Sequence, residues 1–232
     1  MTNLTNIFLT RLRSLLFLLS VLFLYSCSEK KEIQETKEKS KSQTEKFFKI
    51  LILGDSLTEG YGVDESLAYP TLLQRKLNSE LSEKTGKAYK VINGGISGST
   101  TSGGVSRIEW FLKSQPDLLI LALGGNDGLR GIPVEQIKTN LEKVILAAQS
   151  NKIPILLAGM KIPPNYGPVY NQAFSQLFTT LSDQHNIPLI PFLLEGVGGN
   201  PEMNLPDRIH PNPKGHQIIC DLVYQSLQSI LL

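Results

Sequence analysis

Cysteine is nearly absent: Cys27 and Cys220 are the only two in 232 residues. Should Cys27 be consumed by modification, no intramolecular disulfide can form, and an exported domain must then be held by its core alone. Cys220 lies in an apolar helical stretch and is expected to be a small buried hydrophobe. Histidine is sparse too, at three residues, and no H-E-x-x-H or E-x-x-H run is present, so a zinc-type ligand set has little to draw on. Charge of one sign is lacking, with a formal net charge of +2, which gives nucleic acid no electrostatic foothold. No apolar run reaches the ~20 residues that a spanning helix needs. No internal repeat is found.

What is present at the start is a short apolar run, Leu15–Tyr25, preceded by Arg11 and Arg13 and followed by Ser26 and Cys27. A basic head, a short greasy core and a small residue before the cut make a secretory signal. Leu24-Tyr25-Ser26-Cys27 resembles a bacterial lipobox, in which cleavage leaves the cysteine as the lipidated first residue; Tyr25 is bulkier than the residue usual at its position. Residues 1–26 are therefore expected to be a lipoprotein-type signal peptide, and Cys27 the lipidated residue. The protein would be exported and lipid-anchored to a bacterial membrane, facing the periplasm or the cell surface. Acyl chains hold a protein on a membrane without spanning it, and stable anchoring takes two or more. Ser28–Lys46 interleaves Lys and Glu with Ile33 as its only sizeable apolar residue. Such a stretch cannot bury enough surface to offset its ordering entropy, so residues 27–46 are expected to be a charged flexible tether. A single domain then spans residues 47–232.

Within that domain, strand and helix patterns alternate. Apolar runs at Ile50–Leu53, Tyr89–Ile92, Leu118–Leu123, Ile153–Ala158 and Leu189–Phe192 predict buried strands. Helical spacing predicts helices over Leu67–Leu81, Thr101–Leu112, from Pro133 onward, over Tyr170–Gln184 and over Lys214–Leu231. Leu193–Asn212 is expected to be a long loop. The alternation implies an α/β fold, three layers deep, with a central five-stranded parallel sheet and right-handed crossovers.

Lys49–Gly62 organises the rest. Gly54 ends the first strand, and Asp55 and Ser56 sit where the chain must turn toward helix. Either they cap that helix, which both residue types do well, or Ser56 is lifted clear at the carboxyl edge where open α/β sheets bind ligands. The loops carrying Gly98 and Asn126 also follow strands, and a fourth loop carries Asp207 and His210 in P-D-R-I-H-P-N. A serine hydroxyl needs a base within hydrogen-bond reach, and histidine is the natural one. A carboxylate three residues before the histidine is placed to fold back onto its ring. The backbone N–H groups of Ser56 and Gly98 and the Asn126 amide are suitable donors for an oxyanion. Asp207 and His210 as a metal pair is the chemical rival. His216 is expected to cap or pack in the last helix's opening turn, His185 to meet a helix dipole, and Asp55 and Asp127 to hold loops.

G-D-S-L at Gly54–Leu57, the glycine turn at Gly98, G-G-N-D at Gly124–Asp127 and D-R-I-H at Asp207–His210 resemble, in order, the four blocks of the SGNH (GDSL) hydrolase family. G-G-N-D-G-L-R-G and P-x-N-Y-G at Pro163–Gly167 are similar to its branch of periplasmic acyl-CoA thioesterases, lysophospholipases and arylesterases. The resemblance implies the flavodoxin-like fold of that family. It implies a catalytic triad of Ser56, Asp207 and His210, and an oxyanion hole from Ser56, Gly98 and Asn126. It makes Asp127–Pro133 a mobile segment over the acyl site. Ser99 departs from the Asp that close relatives often carry there. The expected reaction is hydrolysis of small acyl esters or thioesters, lysophospholipids among them, through an acyl-serine. No cofactor or metal is expected, no nucleic acid, and a monomer; the only membrane contact is through lipidated Cys27. A carbohydrate O-deacetylase and a non-catalytic surface-anchored binding lipoprotein are the alternatives. Phe111, Ile132, Ile162 and Tyr166 are candidates to line an apolar groove.

Overall fold

The computed structural model describes residues 47–232. The expected signal peptide (residues 1–26), lipidated Cys27 and tether lie outside the described residues. The strands are β1 (Phe47–Gly54), β2 (Ala88–Gly95), β3 (Leu118–Ala122), β4 (Ile155–Ala158) and β5 (Leu189–Ile190). The long helices are α1 (Tyr69–Glu80), α2 (Thr101–Leu112), α3 (Val134–Ser150), α4 (Pro168–His185) and α5 (Pro213–Leu231). The strands form one parallel sheet in the order β2-β1-β3-β4-β5.

The placement of the helices follows from that order by one rule. The step from β1 to β2 runs one way along the sheet, and each later step runs the other way. Right-handed crossovers therefore put α1 on one face and α2, α3 and α4 on the other. Cross-helix contacts agree. Lys76 Nζ on α1 lies 2.6 Å from Asp221 Oδ1 on α5, while Asn140 of α3 donates to Thr101 Oγ1 of α2 at 3.2 Å. Glu142 of α3 meets His185, the last residue of α4, at 3.1 Å. His185 thus has a carboxylate partner as well as a helix end. The central strands are buried on both faces: Ile50–Leu53 and Leu118–Leu121 are 0% exposed. Each such side chain contributes about 1.5–3 kcal/mol by burial.

Strand and helix ends differ from the sequence reading where proline or close packing intervenes. β4 begins at Ile155, because Pro154 has no N–H for the ladder, although its carbonyl accepts from Leu119 N at 3.0 Å. β5 stops at Ile190, ahead of Pro191. Helix α1 starts at Tyr69, with Pro70 in its first turn, and Glu65–Leu67 forms a separate 3₁₀ turn. β2 runs on through Asn93-Gly94-Gly95, three residues past the apolar run that predicted it. Among the described residues its outer edge has no strand neighbour, and side chains of α1 cover it. Asn78 exchanges two hydrogen bonds with the Tyr89 backbone, each 2.9 Å, and Gln74 Oε1 accepts from Val91 N at 2.8 Å. This satisfies an edge otherwise open to pairing.

The strand order reverses between β1 and β3. Their carboxyl ends flank the point where such sheets place their ligands.

Candidate active site

Ser56 opens a single helical turn, Ser56–Glu59, directly after β1. The Asp55 carboxylate caps it, accepting from Leu57 N at 3.1 Å. Gly60 closes it with φ +88°, its amide donating to Ser56 O at 3.1 Å. The turn lies flat on the end of β2, where a Cβ on Gly95 would sit 2.7 Å from the Thr58 carbonyl carbon. Only glycine permits that approach, which is why β2 continues through Gly94 and Gly95. Below, the Thr58 hydroxyl meets the Tyr69 hydroxyl at 2.7 Å, so the turn is tied to α1.

His210 comes from the long loop before α5. Its Nε2 lies 2.9 Å from Ser56 Oγ, and its Nδ1 lies 2.7 Å from Asp207 Oδ2. A carboxylate accepts only, so Nδ1 carries a hydrogen and Nε2 is left to accept from the serine hydroxyl. The other Asp207 oxygen accepts from the amides of Ile209 and His210 at 2.9 and 3.0 Å. Those amides, more than the imidazole, hold the Asp207 carboxyl down to about 2. The tight loop needs Arg208 at φ +62°, a left-handed conformation costly for a side-chain-bearing residue. The Tyr61 ring packs on His210 at 4.5 Å between centroids.

Gly98 and Asn126 sit on the same edge. Gly98 has φ +73°, and Arg130 Nη2 donates to its carbonyl at 3.0 Å. Among the described residues the backbone N–H groups of Ser56 and Gly98 donate to no protein acceptor. Asn126 differs: its Nδ2 donates to Ser99 O at 3.1 Å and to Asp55 Oδ2 at 3.3 Å. Asp55 is buried, and desolvation pushes its carboxyl up to about 6 against the lowering pull of Leu57 N and the His210 charge. Asp127 holds α2 to this edge, accepting from Thr101 N at 2.9 Å and Thr101 Oγ1 at 2.6 Å.

Ser56, Gly98, Asn126, Asp207 and His210 thus meet in one crevice. Cys27 lies outside the described residues. His216 is wholly buried against Tyr69, accepting from its amide at 3.3 Å, and Asn212 caps α5 instead. Burial pushes the His216 imidazole down to about 4. Cys220 is buried, and desolvation pushes its thiol up to about 11. Among the described residues no cluster of His, Cys, Asp or Glu could hold a metal ion. Of the candidate groove residues, Ile162 lines a shallow hollow with Pro164, Pro168 and Phe174, which neither Ser56 nor His210 lines. Tyr166 and Tyr170 donate to Leu129 O and Ile132 O at 2.7 and 2.6 Å, bracing the segment after Asn126. Phe111 packs elsewhere, where a Cβ on Gly94 would lie 3.1 Å from its ring. Sequence reasoning missed Arg107, Tyr61 and Tyr170. Arg107 is the one cation on α2, the one available hint to it.

Comparison with known proteins places this arrangement. A model of the GDSL-like Lipase/Acylhydrolase family matches residues 52–218. Esterase TesA of Pseudomonas aeruginosa is 38% identical over 183 residues, covering 78% of this chain and 89% of that protein. Thioesterase 1/protease 1/lysophospholipase L1 of Escherichia coli K12 is 37% identical over 183 residues, covering 78% of this chain and 84% of its own. Among solved structures, the psychrotrophic esterase EstA of Pseudoalteromonas superposes with a TM-score of 0.74 at 35% identity, covering 79% of this chain and 98% of that one.

Proposed function

We propose, for a chain that belongs to the GDSL-like lipase/acylhydrolase family, a serine-based mechanism at the β1–β3 crevice. The protein is an esterase or thioesterase, and its substrates are small-molecule acyl esters. The esterase and thioesterase names of its relatives favour that chemistry over sugar deacetylation or a binding role without catalysis.

The observation that carries the mechanism is the unbroken chain Ser56 Oγ–His210 Nε2–Asp207, at 2.9 and 2.7 Å. His210 takes the hydroxyl proton as Ser56 Oγ attacks the acyl carbon. Asp207 holds the Nδ1–H tautomer and stabilises the imidazolium that forms. The carbonyl oxygen becomes an oxyanion, met by the N–H groups of Ser56 and Gly98. Asn126 becomes the third donor by giving up one of its two hydrogen bonds; the longer is that to Asp55, at 3.3 Å. Collapse breaks the bond to the alkoxide or thiolate, which leaves with the proton from His210 Nε2. Water then repeats the sequence on the acyl-Ser56 ester, with His210 as base, and releases the carboxylic acid and free enzyme.

Full-length protein assayed with p-nitrophenyl esters from acetyl to octanoyl tests this. Ser56→Ala should lose ~10³-fold or more in kcat; equal activity would refute the nucleophile. A preference for octanoyl, with fatty acid released from a lysophospholipid, supports a lipid-type substrate, whereas a preference for acetyl supports the deacetylase. Export and lipidation at Cys27 complete the proposal, resting on Leu15–Cys27 and on the charged stretch that follows. Cys27→Ala should release the protein from the membrane fraction, and unchanged retention would count against the anchor.

A further inference from the structure

The guanidinium of Arg107 takes no part in the steps above, yet it touches the ends of two strands and the turn that follows the second. From α2, its Nε–H donates to Gly103 O at 3.0 Å and its Nη1 to Gly94 O at 2.8 Å. Its Nη2 donates to Gly54 O and to Ser99 Oγ, each at 2.9 Å. Gly54 ends β1, two residues before Ser56, and its carbonyl also accepts from Ile96 N at 3.3 Å. Ser99 follows Gly98 directly, and its own carbonyl accepts from Asn126 Nδ2. Each donor of the oxyanion hole therefore hangs within three bonded or hydrogen-bonded residue steps of one planar fork. The fork is half-buried beside the Asp55 carboxylate, whose charge favours the cation while burial opposes it. An ammonium offers no such rigid plane of donors.

We propose that Arg107 is a positioning residue that fixes the separation of the Ser56 and Gly98 amides, so that both reach one oxyanion. This rests on the mechanism above. A displacement of about 1 Å between catalytic parts can cost ~10²-fold in rate, and Arg107 binds both strand ends and the Ser99 side chain through one rigid plane, beside the ties made by Ile96 N to Gly54 O, by Ser97 N to Glu59 and by Asn126 to Ser99 O and Asp55. The rival is a purely structural staple, which would hold α2 on the sheet and leave the chemistry per folded molecule unchanged.

The two roles separate when turnover is counted per active site. Full-length wild type, Arg107→Ala, Arg107→Lys and Ser99→Ala are titrated to completion with a p-nitrophenyl phosphonate, and kcat and KM for p-nitrophenyl butyrate are expressed per labelled serine. In Arg107→Ala, kcat per site should fall by about 10²-fold with KM little changed. Millimolar methylguanidinium should restore part of the loss. Arg107→Lys should fall between the two, and Ser99→Ala should lose less than about tenfold, as one acceptor of four. If Arg107→Ala does not fold, Arg107→Lys and Ser99→Ala decide. Fewer labelled sites with unchanged kcat per site in the folded variants would overturn the positioning role. Wild type that takes no label on Ser56 would instead overturn the mechanism beneath it.

Discussion

At the scale of single residues, two carboxyls beside the same imidazole are pushed in opposite directions. Asp207 sits at about 2 because backbone amides favour its charged form, and Asp55 at about 6 because burial disfavours its own. Asp207 therefore stays ionised wherever the enzyme works. Asp207→Asn should keep the fold but offer His210 the wrong tautomer partner, cutting kcat by about 10³–10⁴-fold. Asp55 is different, since it changes charge near neutrality. Its carboxylate and the His210 charge attract, so in the proposed mechanism ionised Asp55 would support the imidazolium formed in the transition state. Asp55→Asn removes that support. The ratio of wild-type to variant kcat/KM should be about tenfold at pH 8, the equivalent of one pKa unit. It should shrink toward unity by pH 5, where wild-type Asp55 is itself protonated. A constant ratio across that range would sink the electrostatic role.

At the scale of elements, the site is built by contacts that place one backbone against another. Gly95 lets the Ser56 turn lie on β2, and Gly95→Ala should destabilise by about 1–3 kcal/mol by overpacking, with loss of activity; urea denaturation measures the first. The Asn126 segment is braced by two hydroxyls. Tyr166 and Tyr170 hold the carbonyls of Leu129 and Ile132. A hydrogen bond of this kind contributes about 0.5–1.5 kcal/mol net. Replacing both tyrosines with Phe should therefore speed hydrogen exchange over residues 128–132 by about tenfold or more, with β1 and β3 unaffected. Protection unchanged in that segment would show that its other bonds, Arg130 N to Asn126 O at 3.1 Å and Ile132 N to Asp127 O at 3.0 Å among them, hold it without the two hydroxyls.

At the scale of the whole molecule, what could be read from the chain was whatever depends on local pattern. β1 and β3 were legible because strands buried on both faces are unbroken apolar runs. Ser56, Gly98, Asn126 and His210 were legible because parallel strands deliver their following loops to one edge. Arg107 was not, because its bonds run to carbonyls 13 and 53 residues away and leave no periodic trace. His216 is expected from sequence to cap or pack in the opening turn of α5, but its partner was not legible for the same reason: Tyr69 is 147 residues distant. That buried histidine shapes the response of the whole fold to acid. His216 binds its proton only near 4 when folded, against 6.5 unfolded, so it withdraws stability as pH falls from 6.5 to 4. Asp55 does the reverse: its folded value near 6 exceeds 3.8, so it returns stability as pH falls from 6 to 3.8. The two shifts are similar in size and opposite in sign, and stability should stay nearly level between pH 6 and 4. Below that, Asp207 gives up its contribution between 3.8 and about 2, and acid unfolding should set in there. Asp55→Asn removes one side of the balance. The variant should be more stable than wild type at pH 7 by up to about 3 kcal/mol, should lose that lead steadily below pH 6, and should match wild type by pH 4. Chemical denaturation at four pH values measures this, and parallel curves for the two proteins would show that Asp55 is not ionised against its surroundings in the fold.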